Sequence, residues 1–210
     1  MIVAMSHTFA LLVPVKTLAL AKSRLELGHD HLRAPLMRAF ALDAIEAAVS
    51  TTSVGQVYVV TDEPGFEIDG AVRLPDEGDG DLNRALVHAS LRVRLRQPGW
   101  GVAAMCADLP CVNAEDLQTA LGSGLTPRWF VADAAGSGTT LLAAAPGVDL
   151  DPHFGADSAI RHERSGAASV RAQVARLRRD VDTEVDLTSA RALGVGRHTT
   201  KVLTDRDRAG

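Results

Sequence analysis

Aromatic side chains are scarce in this chain: Phe, Trp and Tyr together make up 4% of its 210 residues. Its core must therefore be filled by Ala, Leu and Val, and the 46% hydrophobic and 23% charged composition is that of an ordinary globular domain. Cysteine is nearly absent too. Cys106 and Cys111 are too few for a disulfide scaffold, and their spacing is not the CxxC of zinc or redox sites. They are expected to be small buried thiols in a reducing, cytoplasmic setting. No apolar run approaches the ~20 residues of a membrane-crossing helix. The opening "MIVAMSHTFALLVPV" lacks the basic and small-residue flanks of a secretion signal, so none is expected. Basic excess is also missing: the formal net charge is -4, which argues against a nucleic-acid partner and confines any basic site to one locality. GxSxG, HExxH, GxxxxGK[ST] and GxGxxG are all absent. The seven histidines show no metal-ligand spacing. "RVRLR" and "RLRR" read as solvated faces, and His162 as a surface histidine.

What the chain does contain is regular punctuation. "FALLVPV" (Phe9 to Val15), "VGQVYVV" and "GWGVAAM" are short apolar runs that read as buried strands, with "AVRLP" as a shorter one. Between them, Leu32 to Ser50, "DLNRALVHASLRVRL" and "NAEDLQTAL" have helical patterning, the latter two with Asp81 and Asn113 as N-caps. "RWFVADAAG" and "TTLLAAAP" read as two strands joined by a Gly-Ser-Gly turn. "SAIRHERSGA" and "SVRAQVARL" read as helices, "LRRDVDT" as a short strand with its loop, and "EVDLTSARALG" as a closing helix. Such alternation predicts an α/β domain: a mostly parallel sheet with helices on both faces and one antiparallel insertion. The expected domain covers residues 8–197, with 198–210 as a flexible polar tail.

In such sheets the ligand crevice lies beyond the carboxyl ends of the strands. Asp108, in "CADLP", falls there; it is either a turn cap or a hard oxygen donor suited to Mg²⁺. In "DVDT", extended backbone puts Asp180 and Asp182 on one face, as a solvated acidic turn or as two further metal ligands. In "DEGDGDLNRAL", Gly78 and Gly80 precede a helix N-terminus, and the Asn83 amide offers both donor and acceptor to a nucleobase edge. "GSGTT" supplies glycines and the hydroxyls of Thr139 and Thr140. "FGADSAIRH" supplies Gly155, Ser158 and the added charge of Arg161 and His162. Each of these loops can equally be a structural turn. In "VPVKTLALAKSRL" the loop after the first strand has no glycine; it is either an amphipathic helix or a phosphate site built from Lys16, Lys22 and Arg24.

Taken in order, "VPVKTLALAKSRL", "DLNRAL", "ADLP", "FVADAAGSGTTLLAA", "HFGADSAIRH" and "DVDTEVDL" span Phe9 to about Gly196. Together they resemble the guanylyltransferases of coenzyme F(420) biosynthesis: the 2-phospholactate guanylyltransferases and their relatives acting on phosphoenolpyruvate. This chain departs from the common pattern at Ser137, at Cys111 and in its more acidic "EGDGD" loop.

The resemblance implies a single-domain nucleotidyltransferase fold, a glycosyltransferase-A-like three-layer sandwich. It also implies that Lys16, Lys22 and Arg24 hold the nucleotide, that Asp108, Asp180 and Asp182 hold Mg²⁺, and that Thr139, Gly155 and Ser158 hold a phosphorylated three-carbon acid. The implied reaction is in-line attack by that acid's phosphate oxygen on the α-phosphorus of GTP, with pyrophosphate leaving. An anionic phosphate needs no general base, and the work is positioning and charge stabilisation. The expected partners are GTP and the acid, with no nucleic acid or membrane; a homodimer is the compatible assembly. Two competing readings are a molybdopterin-type nucleotidyltransferase, whose usual glycine-rich first loop is missing here, and a non-enzymatic nucleotide-binding module.

Overall fold

In the computed structural model, which describes residues 7–15, 30–66, 68–124 and 126–209, the chain alternates strands and helices around one seven-stranded sheet. The elements are β1 (Phe9–Pro14), α1 (Asp30–Val49), β2 (Val54–Val60), β3 (Ala71–Leu74), α2 (Leu82–Arg96), β4 (Gly101–Met105), α3 (Ala114–Leu121), β5 (Arg128–Ala132), β6 (Thr139–Ala144), α4 (Ser158–Arg164), β7 (Ala168–Ser169), α5 (Glu184–Leu193) and α6 (Arg197–Ala209). The sheet order is β3-β2-β1-β4-β6-β5-β7. All neighbours are parallel except at β6, which runs antiparallel to both β4 and β5. The antiparallel insertion expected from "AGSGTT" is thus the β5–β6 hairpin.

Strand periodicity divides the core. Leu11 and Val13 of β1 pack with Val57 and Val59 on one face, under Ala41, Ala44 and Ile45 of α1 and Leu117 of α3. Ala10 and Leu12 pack with Tyr58 and Val60 on the other, under Ala85, Leu86, Ala89 and Val93 of α2. A run in which every residue is buried, as in "FALLV", is what a strand sandwiched between two helical layers requires. Asp81 caps α2 by accepting from the backbone of Asn83 and Arg84 (2.7 and 3.1 Å), and Asn113 caps α3 by accepting from Asp116 (2.8 Å).

Three expectations fail in the last third. The helix expected over "SVRAQVARL" and the strand expected over "LRRDVDT" do not form; after β7, residues 170–183 are turns and irregular chain. Their apolar side chains Val170, Val174, Leu177 and Val181 are buried all the same. Asp116 of α3 takes the N–H groups of Arg176 and Leu177 (2.9 and 3.3 Å), giving this backbone partners other than a helix. The supposed tail is a helix. α6 docks on α1 with Thr199 and Leu203 buried, alongside Leu36 and Phe40. Both Asp43 carboxylate oxygens accept from its first turn, from His198 N–H and Thr199 N–H at 2.9 Å each. The domain therefore runs through Ala209.

Candidate active site

The carboxyl ends of β1, β4 and β5 and the start of β6 lie along one sheet edge. Asp108 follows β4 and Asp133 follows β5. Asp180 and Asp182 come to this edge on the irregular segment. There Val181, fully buried between them, donates its N–H to the Asp108 carbonyl (3.1 Å). No strand forms at "DVDT": Val181 is buried while Asp180 and Asp182 on either side of it are part-exposed. The segment is held from several sides. The Cys111 thiol lies 3.5 and 3.9 Å from the carbonyls of Arg176 and Arg179. Arg178 donates to the Asp133 carbonyl (3.0 Å), and Arg179 pairs with Asp186 (3.5 Å). "RLRR" is therefore a half-buried clasp and not a solvated face.

Burial, followed by the charges of Asp108, Asp182 and Asp133, pushes the Asp180 carboxyl up to about 6. Four carboxylates thus share one field, a donor set of hard oxygens that a divalent cation would neutralise. Burial likewise raises the Cys111 thiol to about 11, in keeping with the inert role expected of it.

Asp133 was missed in the sequence, although the rule that selects Asp108, a carboxylate directly after a strand, selects it as well. Its carboxylate accepts from the N–H groups of Ser137 and Gly138 (3.0 and 2.8 Å), which shapes the Gly-Ser-Gly turn. A Cβ on Gly138 would overlap the same carboxylate. Asp133 therefore joins the acidic cluster to the turn that carries Thr139.

The "GSGTT" and "FGADSAIRH" loops are stitched together. Ala159 N–H donates to the Ser137 carbonyl (3.0 Å), and the Thr139 hydroxyl lies 2.9 Å from His162 Nδ1. Gly155 has φ +118°, a conformation in which an L side chain is strained. Ser158 is buried at the start of α4, and Arg161 donates to the Phe154 carbonyl (3.2 Å). His162 corrects the surface reading: it is fully buried against Phe130, His153 and Phe154. Its spacing from Ala159 on α4 was the available signal.

Asn83 has a structural task within the fold. Its amide oxygen accepts from Phe154 N–H (2.7 Å) and its amide nitrogen donates to the Phe154 carbonyl (3.1 Å). Both ends of the amide therefore hold the "HFG" loop, and its second N–H and second oxygen lone pair are what a nucleobase edge could read. Lys16, Lys22 and Arg24 lie outside the described residues.

Among the described residues, Asp43, Glu46 and His198 form a carboxylate–histidine group with divalent-metal spacing, their donor atoms all within 4.8 Å of one another. Asp108, Asp180 and Asp182 do not form so tight a group. The first set is engaged in docking α6: Asp43 caps it, and Glu46 pairs with Arg197 (2.8 Å) and His198 (3.5 Å). The second set lies at the carboxyl edge with Asp133, whose carboxylate shapes the "GSGTT" turn. No helix among the described residues is long and apolar enough to cross a membrane.

Comparison with solved structures agrees with the fold. A putative nucleotide-diphospho-sugar transferase from Desulfovibrio desulfuricans superposes with TM-score 0.68 at 17% identity, covering 95% of each chain. A nucleotidyl transferase from Methanothermobacter has TM-score 0.57 at 15% identity, covering 88% of this chain and 96% of that one. No family model matches the sequence. Curated relatives do: the phosphoenolpyruvate guanylyltransferase of Streptomyces coelicolor is 48% identical over 92% of this chain and 95% of its own. That of Thermomonospora curvata is 44% identical (91% and 87%), and that of Streptosporangium roseum 39% (98% and 94%). With this fold, this edge and these relatives, the chain belongs to the phosphoenolpyruvate guanylyltransferase family.

Proposed function

We propose that the chain transfers GMP from GTP to the phosphate of phosphoenolpyruvate and releases pyrophosphate, in a cytoplasmic route to coenzyme F(420). One observation carries this reading: a four-carboxylate cluster, with Asp180 raised to about 6, is joined through Asp133 to the stitched Thr139 and Gly155–Ser158 loops. Such an edge suits two anions brought together beside a cation.

Asp108, Asp180 and Asp182 are the residues we assign to Mg²⁺. When bound, Mg²⁺ supplies positive charge that offsets the mutual repulsion of triphosphate and acceptor phosphate. The other contributions come from the chain itself. Thr139, Gly155 and Ser158, with Arg161 beside them, orient the acid. Lys16, Lys22 and Arg24 supply by side-chain charge the triphosphate contacts that a glycine-rich loop supplies through backbone N–H groups. The acceptor phosphate is already ionised at neutral pH, so its oxygen attacks the α-phosphorus without a general base. The absence of a Ser-His-Asp or similar triad fits this chemistry.

The test is pyrophosphate release from each nucleoside triphosphate with phosphoenolpyruvate, 2-phospholactate or 3-phosphoglycerate. GTP with phosphoenolpyruvate is expected to be fastest. Release with no pair would sink the enzyme reading, and faster release with 2-phospholactate would reassign the acceptor. Asp108→Ala should lower turnover by about three orders of magnitude or more. Near wild-type turnover in that variant would remove Asp108 from the metal set.

A further inference from the structure

Between the two substrate loops lies a polar chain that the mechanism above leaves unused. His162 is fully buried, and His153 N–H donates to its Nε2 at 2.9 Å. A nitrogen that accepts carries no proton, so in the neutral ring the proton sits on Nδ1. Nδ1–H then donates to Thr139 Oγ1, 2.9 Å away. The Thr139 hydroxyl is filled as an acceptor from that side, and its own hydrogen has no acceptor among the described residues. Burial, and then the charges of His153, Arg128 and Arg161, drive His162 down to about 4, so the neutral ring persists throughout the physiological range. The rings of Phe130, His153 and Phe154, with centroids 5.2 to 5.8 Å away, fix its orientation.

We propose that His162 is a positioning residue for the acceptor acid: by donating to Thr139 it turns that hydroxyl into an obligate hydrogen-bond donor, aimed at an anionic oxygen of the phosphorylated acid. The same ring ties the loop carrying His153 and Gly155 to the turn carrying Thr139, so both substrate loops take their register from one side chain. This inference rests on the guanylyltransferase reading.

Two substitutions separate its two bonds. His162→Asn places an amide N–H where Nδ1–H stands and keeps the donor to Thr139. His162→Gln places its amide where Nε2 stands, keeping the acceptor for His153 N–H and losing the donor. Steady-state pyrophosphate release is measured while phosphoenolpyruvate and GTP are varied separately. His162→Gln should raise KM for phosphoenolpyruvate roughly tenfold or more and leave KM for GTP unchanged. His162→Asn should stay within about threefold for both substrates. Thr139→Val should match His162→Gln, and combining the two should add nothing. Equal effects of Asn and Gln, or a parallel rise in both KM values, would overturn the proposal while leaving the functional reading intact. An inactive wild-type chain would sink that reading and the proposal with it. Nitrogen NMR of the His162 ring in the wild-type protein gives an answer independent of variant folding: an Nδ1–H tautomer is expected, and an Nε2–H tautomer refutes the proposal.

Discussion

Asp43→Ala should undock the C-terminal helix. Asp43 is 5% exposed on α1, and each carboxylate oxygen takes one N–H from the first turn of α6, at 2.9 Å. The Thr199 amide belongs to a fully buried residue, whereas His198 is partly solvated. Truncation therefore strands one buried donor and leaves the other to water. A charge-assisted hydrogen bond contributes about 1.5–3 kcal/mol, and the solvated one keeps part of its value, so the loss is about 3 kcal/mol. In a domain of this size that lowers Tm by roughly 6–12 °C. Asp43→Asn retains one acceptor and turns a donor toward the other N–H; about half the loss or more is expected. Gly196→Ala attacks the same contact from the other side, because a Cβ there would overlap the Asp43 carboxyl group. The Gly196→Ala and Asp43→Ala losses should therefore not add in the double variant. Urea unfolding of the wild type and the four variants is the assay. A loss below about 1 kcal/mol for Asp43→Ala, or full additivity, would refute the docking account.

Acid should act through His162. Its folded-state pKa of about 4 lies below the unfolded value of ~6.5, so the unfolded chain takes up the proton first as pH falls. Stability is therefore lost between pH ~6.5 and 4, by up to about 3 kcal/mol; His162→Gln should remove most of that fall, and equal falls in both proteins would refute it. Asp180 has the opposite sign. Its folded-state pKa, near 6, lies above the ordinary carboxylate range, so its charge destabilises the fold only at higher pH. In chelator at pH 8, Asp180→Asn should gain about 1–2 kcal/mol, after allowing for partial solvation, and lose that gain near pH 4. An unchanged melting temperature at pH 8 would contradict this. Cys106, partly exposed, should react with iodoacetamide in the native protein well before the buried Cys111; mass spectrometry showing the reverse order would count against the packing.

The local signals in the sequence were sufficient for the scaffold. Continuous apolar runs bounded by Pro and Gly mark β1, β2 and β4 because strands buried on both faces have no solvent side to advertise. Asp81, Asn113 and Gly194 mark helix ends because capping is a contact among near neighbours. Asp108 was legible as a candidate because a carboxylate following a buried strand has to leave the sheet. The family motifs also reach across nearly the whole chain, so the relationship is readable before any coordinate.

Tertiary structure decided whatever depends on partners distant in sequence. "SVRAQVARL" has helical periodicity, yet Asp116 on α3 takes two of its backbone N–H groups and the run folds as a turn. Residues 198–209 look polar enough for a tail, but a carboxylate 155 positions away caps them into a helix. Asn83 has the amide of a base reader, and that amide also holds Phe154, 71 residues on, at both its ends. His162 and Thr139 are 23 apart, and only the closure of α4 onto the β5–β6 hairpin brings them within 2.9 Å. Local propensity is written in adjacent residues. The field that raises Asp180, and the choice of which nitrogen of His162 carries its proton, come from groups that meet only after the sheet has assembled.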